Sequence, residues 1–414
     1  MTTPPTAAGP SVSTRWSIVG LLSAAVFINY VDRGALSNAV HLIQDELGFS
    51  ESQLGILLSA FFWLYTLLQI PVGWLAERVG AQRVLAAGLA IWAGATILTG
   101  FAHSFAALFA LRLLLGVGES AGFPCLSKLL ATSVPVQNLG VANGIVAFGY
   151  QFGPAVGAWG GGLIMLHYGW RPMFWIFGAL SLLWLAPWSR VRLPPQLAAT
   201  PAAEGPTLLE ILRQPALWGT ALGLFSNNYS FYFLLTWMPF YVVRERGFST
   251  AEMATFTGIA YFVNAISSPV AGWIIDRFVR AGHANVTYKS VMGVAHLGSV
   301  GCMLAIAYAS QPWALAAIFL FQVLQGASAA GCFTMPQILA GPTAAARWVG
   351  IQNCCGNFAG VIAPIVTGYL AEQTGHFAAA FVVAAAVSLL GVVGWVLMVP
   401  KLAPLEWRSA ATVS

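Results

Sequence analysis

The chain is predicted to be an all-α membrane protein of twelve transmembrane helices in two pseudo-symmetric six-helix bundles. Three observations carry that prediction. First, 58% of its 414 residues are hydrophobic and only 7% are charged, against roughly a quarter charged in soluble proteins. A soluble domain so poor in charge would expose apolar surface everywhere. Second, polar or Gly/Pro-bearing joints divide the chain into twelve apolar spans, near 16–40, 52–76, 81–101, 104–128, 138–166, 171–190, 215–242, 250–275, 287–309, 312–340, 346–371 and 376–399. Each is long enough to cross a bilayer as a helix. Third, the two halves repeat one another.

The repeat is visible in three places. Pro71-Val-Gly-Trp-Leu-Ala-Glu77-Arg78 after the second span matches Pro269-Val-Ala-Gly-Trp-Ile-Ile-Asp276-Arg277 after the eighth. Gly118-Glu-Ser-Ala-Gly-Phe-Pro124 resembles Gly326-Ala-Ser-Ala-Ala-Gly-Cys-Phe-Thr-Met-Pro336, and Gly149-Tyr-Gln-Phe-Gly-Pro154 is echoed between Gly356 and Pro364. The expected organisation is an N-terminal tail (1–15), a first six-helix bundle (16–190), a cytoplasmic linker (191–214), a second bundle (215–400) and a C-terminal tail (401–414). Such a 6+6 duplication implies a site between the halves near the midplane, reached by rocking one half against the other. The Pro/Ser/Thr-rich first 14 residues do not read as a cleavable signal, and the first apolar run is long enough to remain an anchor.

Orientation follows from Lys and Arg in the joints. With the N-terminus inside, thirteen are cytoplasmic: Arg15, Arg78, Arg83, Lys128, Arg190, Arg192, Arg213, Arg277, Arg280, Lys289, Arg347, Lys401 and Arg408. Only Arg171, Arg244 and Arg246 fall outside. Both termini are therefore expected in the cytoplasm, in the inner (plasma) membrane of a bacterial-type cell. The net charge of +5 is spread along the joints and does not indicate nucleic acid. Cys125, Cys302, Cys332, Cys354 and Cys355 lie in apolar runs without a CxxC pair and read as small packing residues; no disulfide, metal or cofactor is expected. His296, the one histidine well inside a span, reads as an interhelical hydrogen-bonding residue.

Four charges sit where the bilayer disfavours them: Asp32 and Arg33 in the first span, Arg112 and Glu119 in the fourth. Charges at this depth face a cavity or one another. Arg112 and Glu119, seven residues apart, lie on one helix face roughly 10 Å apart, with Gly116 between them leaving room for a substrate or a neighbouring helix. Gly118 and Gly122 form a small-xxx-small pair suited to close packing. Asp32 and Arg33 point about 100° apart, which suggests Asp32 paired with Arg112 and Arg33 left for an anion. The plain alternative is a pair of ion bridges holding two helices together. Buried pairs are weak stability devices, so retained charge favours function. Desolvation disfavours a charged carboxylate, which makes Asp32 and Glu119 the candidate proton carriers. Arginine can grip a carboxylate bidentately where lysine cannot, so a small organic anion is the expected substrate.

The joint Gly73-Trp-Leu-Ala-Glu77-Arg78-Val-Gly80-Ala-Gln-Arg83 resembles the signature loop of the major facilitator superfamily, with Gln82 at one basic position. Asn29-Tyr-Val-Asp-Arg33, Arg112-Leu-Leu-Leu-Gly116-Val-Gly-Glu119 and Phe231-Tyr-Phe-Leu-Leu-Thr-Trp237-Met-Pro239 resemble its anion:cation symporter branch, which includes galactonate and hexuronate carriers, sialin and vesicular glutamate transporters. The resemblance spans nearly the whole chain. It implies that the acids couple proton movement to transport and that the first-span arginine orients the substrate carboxylate. It also implies that Tyr30, Tyr65, Gln151, Thr334 and Asn357 hydrogen-bond substrate hydroxyls, with Tyr232, Asn227, Asn228 and Asn353 marking the second half of the cavity; interhelical packing is the alternative reading for each. Gly73, Glu77, Arg78, Arg83, Asp276 and Arg277 read as a cytoplasmic gate.

The expected function is proton-coupled symport of a small organic anion, such as a hexonate or hexuronate, by a monomer. The alternatives are an anion exchanger or exporter without net proton coupling, or a carrier of an aldarate, tartrate or aromatic acid. An enzyme would need a nucleophile, metal ligands or a phosphate loop, and a sensor a sizeable soluble domain; the sequence offers neither.

Overall fold

The computed structural model describes residues 12–49, 51–191 and 205–407. The expected tails and linker fall partly outside these residues, as do Arg192 and Arg408.

In the first half, the helices are α1 (Val12–Leu47), α2 (Glu51–Leu75), α3 (Ala81–Thr99), α4 (Phe105–Glu119), α5 (Gly122–Ser133), α6 (Leu139–Tyr168), α7 (Trp170–Leu183) and α8 (Leu185–Ser189). A short linker helix, α9 (Leu208–Leu212), leads to α10 (Pro215–Arg244), α11 (Thr250–Arg280), α12 (Ala284–Tyr308), α13 (Gln311–Asn357), α14 (Ala359–Thr374) and α15 (Ala378–Val392). The twelve spans map onto these, because three spans are each two helices and α13 holds one span and the first part of the next, which α14 completes. α13 turns at Gly341, whose φ of 65° suits a residue without a Cβ, and Pro342 starts the following helix. By length and apolarity alone, seven stretches among the described residues qualify as spans; Ala60–Thr99 and Gln311–Ala371 each run through such a turn and contain two.

The break between α4 and α5 has a local cause. The Ser120 hydroxyl donates to the Val117 carbonyl at 2.6 Å, competing with the helical ladder. Glu119 thereby becomes the last residue of α4, at a bend.

Close packing follows some of the expected glycines and not others. A Cβ on Gly116 would fall 2.5 Å from the Phe61 carbonyl oxygen of α2, so the space beside Gly116 is taken by a helix rather than a substrate. On Gly118 it would meet Trp92 N of α3 at 2.6 Å. Gly122 differs from expectation: a Cβ there meets nothing within 4 Å. It faces open space, with Leu85 and Trp92 of α3 lining the same space.

The five cysteines are free, four of them buried. His296 on α12 is buried and hydrogen-bonds the Ser388 backbone of α15, an interhelical role as expected.

Candidate functional site: a cavity between the halves

Arg33 projects from α1 toward α4. Its Nη2 donates to Glu119 Oε2 at 2.7 Å, and its Nε to the same oxygen at 3.3 Å. Nη2 also donates to Asn29 Oδ1 at 3.3 Å. The guanidinium carbon lies 4.5 Å from the Tyr30 ring centroid and 4.7 Å from those of Phe61 and Tyr65. Aromatic faces favour a cation, most of all where water is scarce. The Glu119 side chain is fully buried, whereas that of Arg33 retains 14% exposure.

Asp32 faces the other way. Its Oδ2 accepts from Ser181 Oγ of α7 at 3.0 Å. The expected Asp32–Arg112 pair is therefore corrected: Glu119 takes Arg33, and Asp32 takes a serine. The 100° between adjacent helix positions separates the two side chains as anticipated, but α1 is rotated so that Asp32 meets α7 and Arg33 meets α4. Arg112, buried, lies with its guanidinium carbon 5.5 Å from the Phe61 centroid. Among the described residues, Arg112 Nε, Asp32 Oδ1 and Glu119 Oε1 are buried without a protein hydrogen-bond partner.

Beside this pole lies a cavity of about 530 Å³ between the halves. Tyr30, Tyr65, Phe123, Tyr150 and Gln151 line it from the first half; Asn227, Asn228, Tyr232, Gln325, Asn353 and Asn357 line it from the second. The second-half wall is lined by amides held in short hydrogen-bonded groups. Tyr232 OH donates to Asn357 Oδ1 at 3.1 Å, Asn357 Nδ2 to the Asn353 carbonyl at 2.8 Å, and Asn228 Nδ2 to the Gly356 carbonyl at 3.2 Å. Gln325 and Ser328 fix Asn227 through its carbonyl and its Oδ1 at 3.0 and 2.7 Å. Of the residues singled out from sequence, Tyr30, Tyr65, Gln151, Tyr232 and Asn357 line the cavity, with Arg33 packed against the two tyrosines. Thr334 is not in the lining. Its hydroxyl accepts from Asn143 Nδ2 at 3.0 Å and donates to the Ala330 carbonyl at 2.6 Å.

That Asn143–Thr334 contact belongs to a seam closing one side of the cavity. Asn143 also donates to Gln337 Oε1 at 2.7 Å, and Asn353 Nδ2 donates to Gln69 Oε1 at 2.8 Å, so amides of one half meet amides of the other. Beyond this layer come the acids of the repeated motif. Glu77 accepts from the Arg347 backbone N–H at 3.2 Å and bonds its guanidinium. Asp276 accepts from the backbone N–H groups of Gly140 and Val141 at 3.0 and 2.8 Å. Those N–H groups lie in the first turn of α6, where a helix has free donors and favours an anion. Each half thus sends one acid across to the other. The seam lies at the end of the bundle that carries both ends of the described chain, where Trp407 Nε1 donates to the Ala340 carbonyl at 3.0 Å.

The remaining expected gate residues are placed differently. A Cβ on Gly73 would fall 2.6 Å from the Ala346 carbonyl oxygen, so this glycine admits α13 beside Arg347. Arg78 and Arg277 cover Trp74 and Trp273 at 4.3 and 4.4 Å, one turn back on their own helices, and Arg83 is exposed. Gln82, which departs from the motif, donates to the Val191 carbonyl at 2.7 Å within its own half. Sequence reasoning missed Arg347, counted only as a topological charge, together with Gln69, Asn143 and Gln337. A polar amide in an apolar span was the available signal for the last three.

Two six-helix halves facing one another across a cavity, aromatic on one wall with a buried charge cluster behind it and amide-lined on the other, define a secondary transporter. The Major Facilitator Superfamily model matches residues 22–362, and the chain belongs to that family. It is 31% identical over 404 residues to the probable sulfoacetate transporter SauU of Cupriavidus necator, covering 92% of each chain. It is 27% identical over 416 residues to the D-galactonate transporter of Escherichia coli O6:H1, covering 93% of this chain and 95% of that one. Among solved structures, the transporter FucP in its outward conformation aligns with a TM-score of 0.79 at 15% identity, over 94% of this chain and all of that one. The fold is that of the superfamily, and the curated relatives agree with its anion:cation symporter branch. The protein is a multi-pass membrane transporter and not an enzyme.

Proposed function

We propose that this transporter carries a sugar acid, such as a hexonate or hexuronate, inward together with protons by alternating access. One observation carries the reading: a glutamate inside the membrane occupies an arginine beside the cavity. A substrate carboxylate and the Glu119 carboxylate compete for one guanidinium. Protonating Glu119 removes its charge and weakens the 2.7 Å bond, which frees Arg33 to grip the substrate through paired N–H groups. Releasing substrate lets Glu119 re-form the pair as its proton leaves. Asp32, held by Ser181, is the second acid able to take a proton, on the helix that carries Arg33. Arg112 adds positive potential nearby.

The neutral wall supports a polyhydroxylated substrate, because Asn228, Tyr232, Asn353 and Asn357 offer both donors and acceptors. The D-galactonate relative agrees with this choice. A short sulfonated acid is the second reading, favoured by the sulfoacetate relative. We place the protein as a monomer in the inner membrane, termini and acid-bearing seam toward the cytoplasm, with protons as coupling ion and no other cofactor.

The test is uptake of labelled D-galactonate, D-glucuronate and sulfoacetate into proteoliposomes under an imposed pH gradient. Inside-alkaline vesicles should concentrate a sugar acid and acidify as they do so. Uptake indifferent to the gradient removes proton coupling and leaves an exchanger; preference for sulfoacetate moves the substrate to the second reading.

A further inference from the structure

Glu119 borders a second cavity on its far side. It is a small chamber inside the first half, with room for about one water, walled by α1, α3, α4 and α5, with Asn29, Trp92, Glu119 and Gly122 among its lining residues. The rest of the wall is apolar, including Leu22, Val26, Leu85 and Leu126. Two lining residues, each about 1% exposed, contribute polar atoms without a protein partner: Trp92 Nε1, a donor, and Glu119 Oε1, an acceptor. Asn29, the third polar residue of the wall, accepts from Arg33 through its Oδ1 and also hydrogen-bonds the Glu119 carboxylate. A Cβ on Gly122 would meet nothing within 4 Å, so the space beside it is open. Leaving a buried donor and acceptor unmade is expensive, and a polar site of this kind is where a protein keeps ordered water.

We propose that this chamber is a water site joining Trp92 Nε1 to Glu119 Oε1 and serving Glu119 from the side away from the substrate. The water accepts from the indole N–H and donates to the carboxylate. When Glu119 gives up its proton, the water donates to Oε1 and stabilises the carboxylate that forms. The re-formed carboxylate stays paired to Arg33 through Oε2. The two carboxylate oxygens thus divide the work: Oε2 answers to the arginine and the substrate cavity, Oε1 to the chamber. Trp92 is a positioning residue, acting on Glu119 through the water. The other ionisable groups around Glu119 are Asp32 and Arg33 from α1, Tyr65 from α2 and Arg112 from its own helix. The proposal deepens the proton-coupled reading and rests on it for its role in transport.

The test follows the carboxyl stretch of Glu119 by infrared difference spectroscopy on the purified full-length protein across pH, with Glu119→Gln identifying the band. Trp92→Phe keeps the ring and deletes only the donor. Gly122→Leu fills the chamber without changing any polar group. Both take away a hydrogen bond that favours the charged carboxylate, so in both the titration midpoint should move to higher pH, by about one unit. The band should also shift to higher frequency as its water is lost. Unchanged midpoints in two folded variants would overturn the proposal. A move in Trp92→Phe alone would also overturn it, because the chamber would then hold nothing that matters. The measurement needs neither substrate nor gradient, so it stands even if uptake proves uncoupled from protons.

Discussion

The two halves share a helix plan and a repeated acid, yet they are built from opposite chemistry around the cavity. The first half places Asp32, Arg33, Arg112 and Glu119 on two helices, all at least largely buried. The second presents Asn227, Asn228, Gln325, Asn353 and Asn357; the charges of the first half stand behind the Tyr30 and Tyr65 wall rather than in the lining. A buried charge can change its protonation or its partner, and each change shifts the balance between states. A buried amide network does neither; it offers fixed donors and acceptors. The difference teaches a division of labour in which one half switches and the other recognises.

Predictions that break or sharpen this comparison run from large effects to small. Arg33→Ala strands Glu119 in the membrane interior, and removing one partner of a buried pair costs about 3–5 kcal/mol. Thermal denaturation in detergent should show a large loss for this variant and a much smaller one for Arg33→Ala/Glu119→Gln. Equal losses would mean the pair is incidental. Arg33→Lys keeps the charge and loses the fork. Titration calorimetry should show affinity for the transported anion falling by tenfold or more, or ~1.4 kcal/mol. Near-normal affinity would reduce Arg33 to a general field.

At the seam, Glu77→Gln and Asp276→Asn test whether the halves are as symmetric there as their sequences. Glu77 meets a guanidinium, Asp276 only backbone N–H groups at a helix start. The first should loosen the closed seam by about 3 kcal/mol and the second by about 1 kcal/mol. Spin labels on α2 and α13, and on α6 and α11, would read the separation; a larger opening from Asp276→Asn would reverse the ranking. In the neutral wall, Asn357→Ala should lower substrate affinity by about tenfold, one hydrogen bond's worth, with no change in the pH dependence of transport. A moved pH profile would mean that recognition and switching are not divided.

The smallest effect is at the opposite end of the first half, outside the spans. Glu46 accepts from Arg171 Nη2 and Trp170 Nε1 at 2.7 and 2.6 Å, and the Arg171 hydrogen bond holds its carboxyl below the usual range. A carboxylate whose folded-state value is depressed stabilises the fold above its unfolded value and loses that contribution as pH falls through the folded one. The melting temperature should therefore drop modestly below about pH 4, and Glu46→Gln should flatten that drop. Glu46 is exposed, so the amplitude is small.

Much of this molecule is determined by sequence alone. Apolar length dictates the spans because a backbone in lipid must satisfy its own hydrogen bonds as helix. The repeat of Pro71–Arg78 in Pro269–Arg277 announces two matched halves. A charge in an apolar run marks the site because the membrane makes it costly. These are properties of a segment and its solvent, and they need no neighbours. Partner choice is different. That Glu119 rather than Asp32 meets an arginine depends on how α1 is rotated against α4 and α7, and a one-residue turn of 100° exchanges the two outcomes. Arg347 looks like any loop arginine until α13 is bent at Gly341 and laid beside Glu77. Thr334 sits at a depth that suits the substrate cavity, and only the seam with Asn143 takes it out. The chamber behind Glu119 is visible in no single segment, since four helices must meet imperfectly to leave it. Sequence periodicity says which face of a helix is polar; only packing says what that face meets.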